Sequence, residues 1–172
     1  MSKKVQIFNN FLDQEVFLEI KKFIMSPRCQ WRYVNYIAHK DGRDNDNDGY
    51  FVHSFKDCHP QTFEDRYPES PHFPLIAKIL DKIQYRNILR IRSSLYPRRD
   101  VQKSDPFHID YNFPHRVCIF YVNTNNGYTM FENGEKIPSV ENQLATFDGS
   151  EKHCSVVQTD TPARYIVNIN IL

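Results

Sequence analysis

His108 and Asp110 stand two residues apart in the stretch DPFHID. On an extended segment, positions i and i+2 project to the same side. An imidazole and a carboxylate placed this way are two-thirds of a facial metal site. Two histidines and one carboxylate hold one face of an octahedral ion and leave three positions open, the pattern of non-haem Fe(II) oxygen chemistry. In a chain with seven histidines a His-x-Asp arises easily by chance, so the pair needs a third ligand to mean anything. His153 is the candidate: it follows the turn FDGSEK and opens a strand, so its backbone is held. Arg164 comes eleven residues later. An Fe(II) ion with three open positions can take a 2-oxo acid at two of them and O2 at the third. The far carboxylate of that acid is matched by a guanidinium fork.

These residues must be positioned by strands. From Ile88 onward the chain reads as short β-segments at 88–96, 107–111, 116–123, 128–132, 143–148, 153–158 and 163–172, separated by turn signals such as NTNNG, ENGEK and TDTPA. In LRIRSSLY, Leu89, Ile91 and Leu95 share one face while Arg90, Arg92, Ser94 and Tyr96 share the other. In RYIVNINIL, Tyr165, Val167, Ile169 and Ile171 share a face opposite Arg164, Ile166, Asn168 and Asn170. One face suits a core beneath helices. The other is half polar, and if the sheet closes it lines a cavity in which a buried arginine needs an anion.

The first half supplies support. DQEVFLEIKKFIMS places Val16, Phe17, Ile20, Phe23 and Ile24 at helical spacing, with Asp13 as a cap and Pro27 beyond the end. A second helix is expected from about Pro74 to Ile83. Between them WRYVNYIA and GYFVHSF read as a hairpin with a long polar loop, HKDGRDNDNDG. That loop opens like a calcium loop, but the position needing a bidentate Glu is Phe55, so a solvated tip is the better reading. Helices first and then many short strands predicts an α+β chain of one domain, 1–172, with a support region at 1–87 and a β core at 88–172.

Composition excludes little beyond extremes. A net charge of +1 gives no bulk electrostatic reason to bind nucleic acid or a membrane surface. No apolar run approaches the roughly 20 residues of a membrane span. The opening MSKKVQIFNNF turns polar too early for a signal peptide. Cys29, Cys58, Cys118 and Cys154 are scattered and predict free thiols in a reducing cytoplasm. His39, His53, His59, His72 and His115 read as loop or packing histidines.

Taken in order, SLYP, HID, CIFYVN, GYTMF, FDGSEKH and PARYIVNI resemble the Fe(II)/2-oxoglutarate-dependent dioxygenases, and within them the prolyl 4-hydroxylase-like group. The likeness covers roughly Ile88 to Leu172. It implies a double-stranded β-helix, a jelly-roll or cupin-like barrel, buttressed by the N-terminal helices. It implies His108, Asp110 and His153 as iron ligands and Arg164 as the clamp on the distal carboxylate of 2-oxoglutarate. Tyr96 would bond the cosubstrate, and Asn168 is the small polar residue near it. Phe120 stands where many prolyl hydroxylases carry a second cosubstrate tyrosine, and Tyr121 is expected to face the other way. The implied reaction hydroxylates an unactivated C–H and releases succinate and CO2, using Fe(II), 2-oxoglutarate and O2, with ascorbate as a candidate stimulant. The substrate would be a small molecule or a peptide. Because Asp110 fills the ligand position that related halogenases leave to halide, oxidation rather than chlorination is expected. A different class also fits the pattern: a non-catalytic cupin-like barrel that binds a metal or small ligand. Two polar loops, 39–49 and 97–106, could close over a substrate, with Arg98, Arg99 and Lys103 as its contacts.

Overall fold

The computed structural model describes residues 5–35 and 49–172. The expected loop at 39–49, with its calcium-like stretch, lies outside these residues except at Gly49.

The helix α1 (Gln14–Ile24) forms where the spacing predicts it, and Phe17, Ile20, Phe23 and Ile24 are all buried. Asp13 precedes it but makes no side-chain cap; its carboxylate instead lies 3.4 Å from Lys82 Nζ. The second expected helix divides into α2 (Phe73–Ala77) and a 3₁₀ turn at Leu80–Lys82. Its amides reach back only three residues, Ile79 to Ile76 and Ile83 to Leu80, so the helix tightens rather than propagates. The apolar side survives the change: Ile76, Ile79 and Leu80 remain buried.

Among the described residues ten strands follow the chain: β1 (Gln6–Phe8), β2 (Arg32–Val34), β3 (Tyr50–Asp57), β4 (Ile88–Pro97), β5 (Arg116–Tyr121), β6 (Asn125–Phe131), β7 (Lys136–Ser139), β8 (Gln143–Asp148), β9 (His153–Val156) and β10 (Ala163–Ile171). Seven of them make one sheet in the order β1-β8-β5-β10-β4-β3-β2, and three make a second, β7-β6-β9. Pairing is antiparallel throughout. The short strands β1 and β7 were not expected from the pattern. Each pairs along one side only, and Pro138 in β7 cannot donate to a ladder, which suits an edge. The strand expected at 107–111 does not form. There His108 makes a single bridge to His153.

The large sheet has a different core on each face. One holds Phe17, Ile20, Phe55, Ile91, Phe120, Val167 and Ile169 beneath α1 and α2. The other holds Val117, Ile119, Tyr121, Phe131, Ile137, Phe147 and Ile166, between the two sheets. The side chains of β10 alternate between them as read from the sequence. The half-polar face is therefore interior: Arg164 and Asn170 are both 0% exposed. This is the jelly-roll, cupin-like sandwich, with helices on its outer face.

Candidate active site

The site begins with a backbone contact. The N–H of His108 donates to the carbonyl of His153 at 3.0 Å, and the N–H of His153 donates to the carbonyl of His108 at 3.0 Å. This reciprocal pair sets the two residues opposite one another, and their rings lie 4.8 Å apart between centroids. His108 Nδ1 lies 3.2 Å from the Pro106 carbonyl, and His153 Nδ1 lies 3.1 Å from the Glu151 carbonyl. A carbonyl can only accept, so each Nδ1 carries a proton and each Nε2 is the nitrogen turned toward a ligand. One ligand atom each from His108, Asp110 and His153 fall within 4.8 Å of one another.

Asp110 is held at both oxygens. Arg90 Nη2 donates to Oδ1 at 3.1 Å, and Asn168 Nδ2 donates to Oδ2 at 3.3 Å. Burial works to raise its pKa, but Arg90, His153, Arg92 and His108 outweigh it and hold the carboxyl well below the usual carboxylate range. Burial, and then the neighbouring His153, push His108 down to about 4. At neutral pH the set holds one carboxylate at Asp110 and a neutral imidazole at His108, with the His153 ring beside them. That donor set fits Fe(II).

Across the cavity Arg164 is the largest wholly buried side chain. Its Nε donates to Ser139 Oγ at 2.7 Å, its Nη1 to Ser155 Oγ, and its Nη2 to Thr129 Oγ1 at 3.2 Å. The hydroxyl of Tyr121 also reaches Thr129 Oγ1, at 2.9 Å. The guanidinium carbon sits 5.5 Å from the centre of the Tyr96 ring and 5.7 Å from that of Tyr121. Among the described residues no carboxylate pairs with it. Gly127 makes room: a Cβ there would stand 2.9 Å from Arg164 Cδ. Arg92, Tyr96, His108, His153, Arg164 and Asn168 line one cavity.

Solved structures share this arrangement of strands over nearly the whole chain. A prolyl hydroxylase from Trichoplax adhaerens, solved with a hypoxia inducible factor oxygen degradation domain peptide fragment, superposes with a TM-score of 0.66 at 14% identity, covering 99% of this chain and 84% of that one. A 2OG-Fe(II) oxygenase family oxidoreductase from Burkholderia pseudomallei gives 0.69 at 10% identity, covering 97% and 84%. A prolyl-4-hydroxylase from Pseudomonas putida gives 0.60 at 12% identity, covering 99% and 93%. The chain has the prolyl hydroxylase-like 2-oxoglutarate oxygenase fold. No family sequence profile and no curated protein sequence matches it.

The oxygenase fold brings His108, Asp110, His153, Arg164, Tyr96 and Asn168 to a single cavity. Asn168 does so while also holding Asp110. Two aromatic assignments are corrected. Phe120 packs beneath the helices, 6.2 Å from Phe17 ring to ring, whereas Tyr121 faces the cavity. The alternation of β5 carries the reason, since Tyr121 is in phase with the interior residues Val117 and Ile119. Tyr121, not Phe120, is therefore the β5 aromatic that stands with Arg164 and Thr129. Arg98, Arg99 and Lys103 stand apart from the metal ligands. Arg99 and Lys103 line a smaller recess beside Tyr96, and Arg98 is exposed. Their segment is tied down: Arg98 N–H to the Pro162 carbonyl, Arg99 N–H to Gln158, Val157 N–H to Lys103 and Asp105 N–H to Ser155. Arg99 Nη2 reaches the Gly49 carbonyl at 3.5 Å; the rest of the loop it was expected to meet lies outside the described residues. Thr129, Ser139 and Ser155 escape a reading of the sequence, because a hydroxyl on a strand carries no pattern of its own.

Proposed function

We propose that this chain is an Fe(II)/2-oxoglutarate-dependent oxygenase that hydroxylates an unactivated C–H and releases succinate and CO2. The observation that carries this reading is the pairing of two features in one cavity. Three metal-type ligand atoms lie within 4.8 Å of each other, and a wholly buried arginine, without a carboxylate partner among the described residues, lies across from them. A simple metal binder has no use for the second feature.

When bound, Fe(II) supplies the activation of O2 and the oxidising equivalents that the side chains lack. His108, Asp110 and His153 would hold the ion. Arg164, Thr129 and Tyr121 take the distal carboxylate of the 2-oxo acid, with Tyr96 beside it, and Asn168 and Arg90 keep Asp110 aimed at the metal. Ile119 and Ile166 supply the aliphatic part of a lining that is otherwise largely polar. The substrate would be a peptide or a small molecule; the Trichoplax enzyme was solved with a peptide.

The test is anaerobic titration of the Fe(II)-loaded protein with 2-oxoglutarate, followed by a succinate-release screen over peptides, amino acids and other small molecules. A weak visible charge-transfer band and 2-oxoglutarate-dependent succinate are the expected results. Metal binding with neither would leave the chain a cupin-like binding protein.

A further inference from the structure

The cavity contains a second arginine that the chemistry above leaves unused. Arg92 stands on β4 with Asn168 of β10 on one side and Ser54 of β3 on the other. It lines the cavity with His108 and His153. Its Nε is shut off from solvent and, among the described residues, has no hydrogen-bond partner. Arg90, on the same face, shares the unpartnered Nε but differs at its far end: its Nη2 pairs with Asp110 at 3.1 Å and its guanidinium lies over the Tyr111 ring at 5.5 Å. Asp110 is therefore already engaged at both oxygens, by Arg90 and Asn168. An unmatched buried donor on a charged group is costly, so a partner supplied by a ligand would relieve a standing penalty.

The strand register says where that partner sits. On β4, Tyr96 is opposite Arg164 and Arg92 is opposite Asn168. Arg164 and Asn168 are four residues apart, roughly 13 Å at about 3.3 Å per residue. Arg164 thus marks one end of the cavity, and Arg92 stands with the metal ligands at the other. Charge points the same way. A divalent ion and a doubly charged 2-oxo acid cancel each other, and Arg90, Arg92 and Arg164 still exceed Asp110 in charge.

We infer that Arg92 forms a carboxylate-binding subsite at the metal end of the cavity, separate from the Arg164 clamp. The inference rests on the oxygenase reading above. The carboxylate has two sources: the 1-carboxylate of the 2-oxo acid, or a carboxylate carried by the molecule to be oxidised. The guanidinium fork of Arg92 suits either, since both present a planar pair of oxygens.

The experiment uses the Mn(II)-loaded protein and calorimetric titration, with Arg92→Met and Arg92→Lys beside the wild type. The ligands are 2-oxoglutarate, 2-oxovalerate (which lacks the distal carboxylate) and a panel of amino acids, N-acyl amino acids and their amides. If the partner is the 1-carboxylate, Arg92→Met weakens both 2-oxo acids at least tenfold and Arg92→Lys recovers part of the loss. If the partner belongs to the substrate, both affinities hold, the wild type prefers carboxylates over their amides at least tenfold, and Arg92→Met erases that preference. Unchanged 2-oxo acid affinity together with no carboxylate preference in the wild type overturns the subsite. Manganese affinity, unchanged or raised in Arg92→Met, shows that the variant has folded. A wild type that binds no 2-oxo acid would sink the oxygenase reading, while the carboxylate panel would still decide the role of Arg92.

Discussion

Arg164 donates to three hydroxyls, but a hydroxyl cannot neutralise the charge it solvates. The cavity around it is tuned to an anion, and this gives the sharpest residue-level prediction. Arg164→Ala should weaken 2-oxoglutarate by about 2–5 kcal/mol, roughly 30-fold or more, while iron affinity stays near that of the wild type. Arg164→Lys should recover only part of this, because a point charge cannot replace the fork. Titration of both ligands on each variant separates the two effects, and an equal loss of iron would make Arg164 structural. Asp110 permits a second prediction. In chloride buffer the wild type should give oxygenated product and no chlorinated one, as mass spectrometry of the product would read. At this scale the sequence was legible where residue types, spacing and order combine: none of His108, Asp110, His153 and Arg164 is distinctive alone, but the fold groups the first three within 4.8 Å and buries Arg164. The hydroxyls that seat the arginine do not, because Ser and Thr occur on strands for many reasons. Tyr121 was legible in principle, through its phase with Val117 and Ile119, but the neighbouring Phe120 drew the assignment.

The helices matter to the site through one layer of contacts. Phe17 of α1 meets Phe120 of β5 edge to face, behind the strand that carries Tyr121. Phe17→Ala should cost about 3–5 kcal/mol of stability, seen in a urea melt, with little change in 2-oxoglutarate affinity in the folded fraction. A pH effect arises on β3. Burial, opposed by the Gln30 carbonyl bond and helped by nearby His72, lowers the pKa of His53. His53 Nδ1 sits 2.8 Å from that carbonyl, Nε2 sits 3.0 Å from Ser70 Oγ, and the rings of Phe23 and His72 lie close by. The folded chain therefore resists a proton that the unfolded chain accepts. The stability His53 contributes is whole above the ordinary imidazole range and is lost as pH falls through it toward the depressed folded value. His53→Gln should flatten the acid side of the urea-midpoint profile; an unchanged slope would place the titration elsewhere. Element patterns were legible where periodicity is long, as in α1, β4 and β10. They failed at β1 and β7, three and four residues long, and at 107–111, where a single bridge holds the backbone without a strand.

At the scale of the molecule, the sandwich was legible because alternation along β4 and β10 assigns one face to helices and one to a lined interior. How the mouth closes was not. The segment 97–106 was expected as a lid, and its backbone is bonded to residues from 155 to 162. Replacing Arg98, Arg99 and Lys103 with Ala should lower oxidation of the substrate while iron binding and substrate-free decarboxylation persist. Equal coupling of succinate to product in variant and wild type would remove those side chains from the mechanism. The reciprocal bond between His108 and His153 has a broader consequence. It joins two distant stretches of chain by two amide hydrogen bonds, and a metal gripping both imidazoles would add a cross-link at the same point. Unlike a disulfide, its strength follows supply: an ion at 100 times its dissociation constant stabilises the native state by about 2.7 kcal/mol, and at its dissociation constant hardly at all. Heat resistance in this protein should then report the free iron around it.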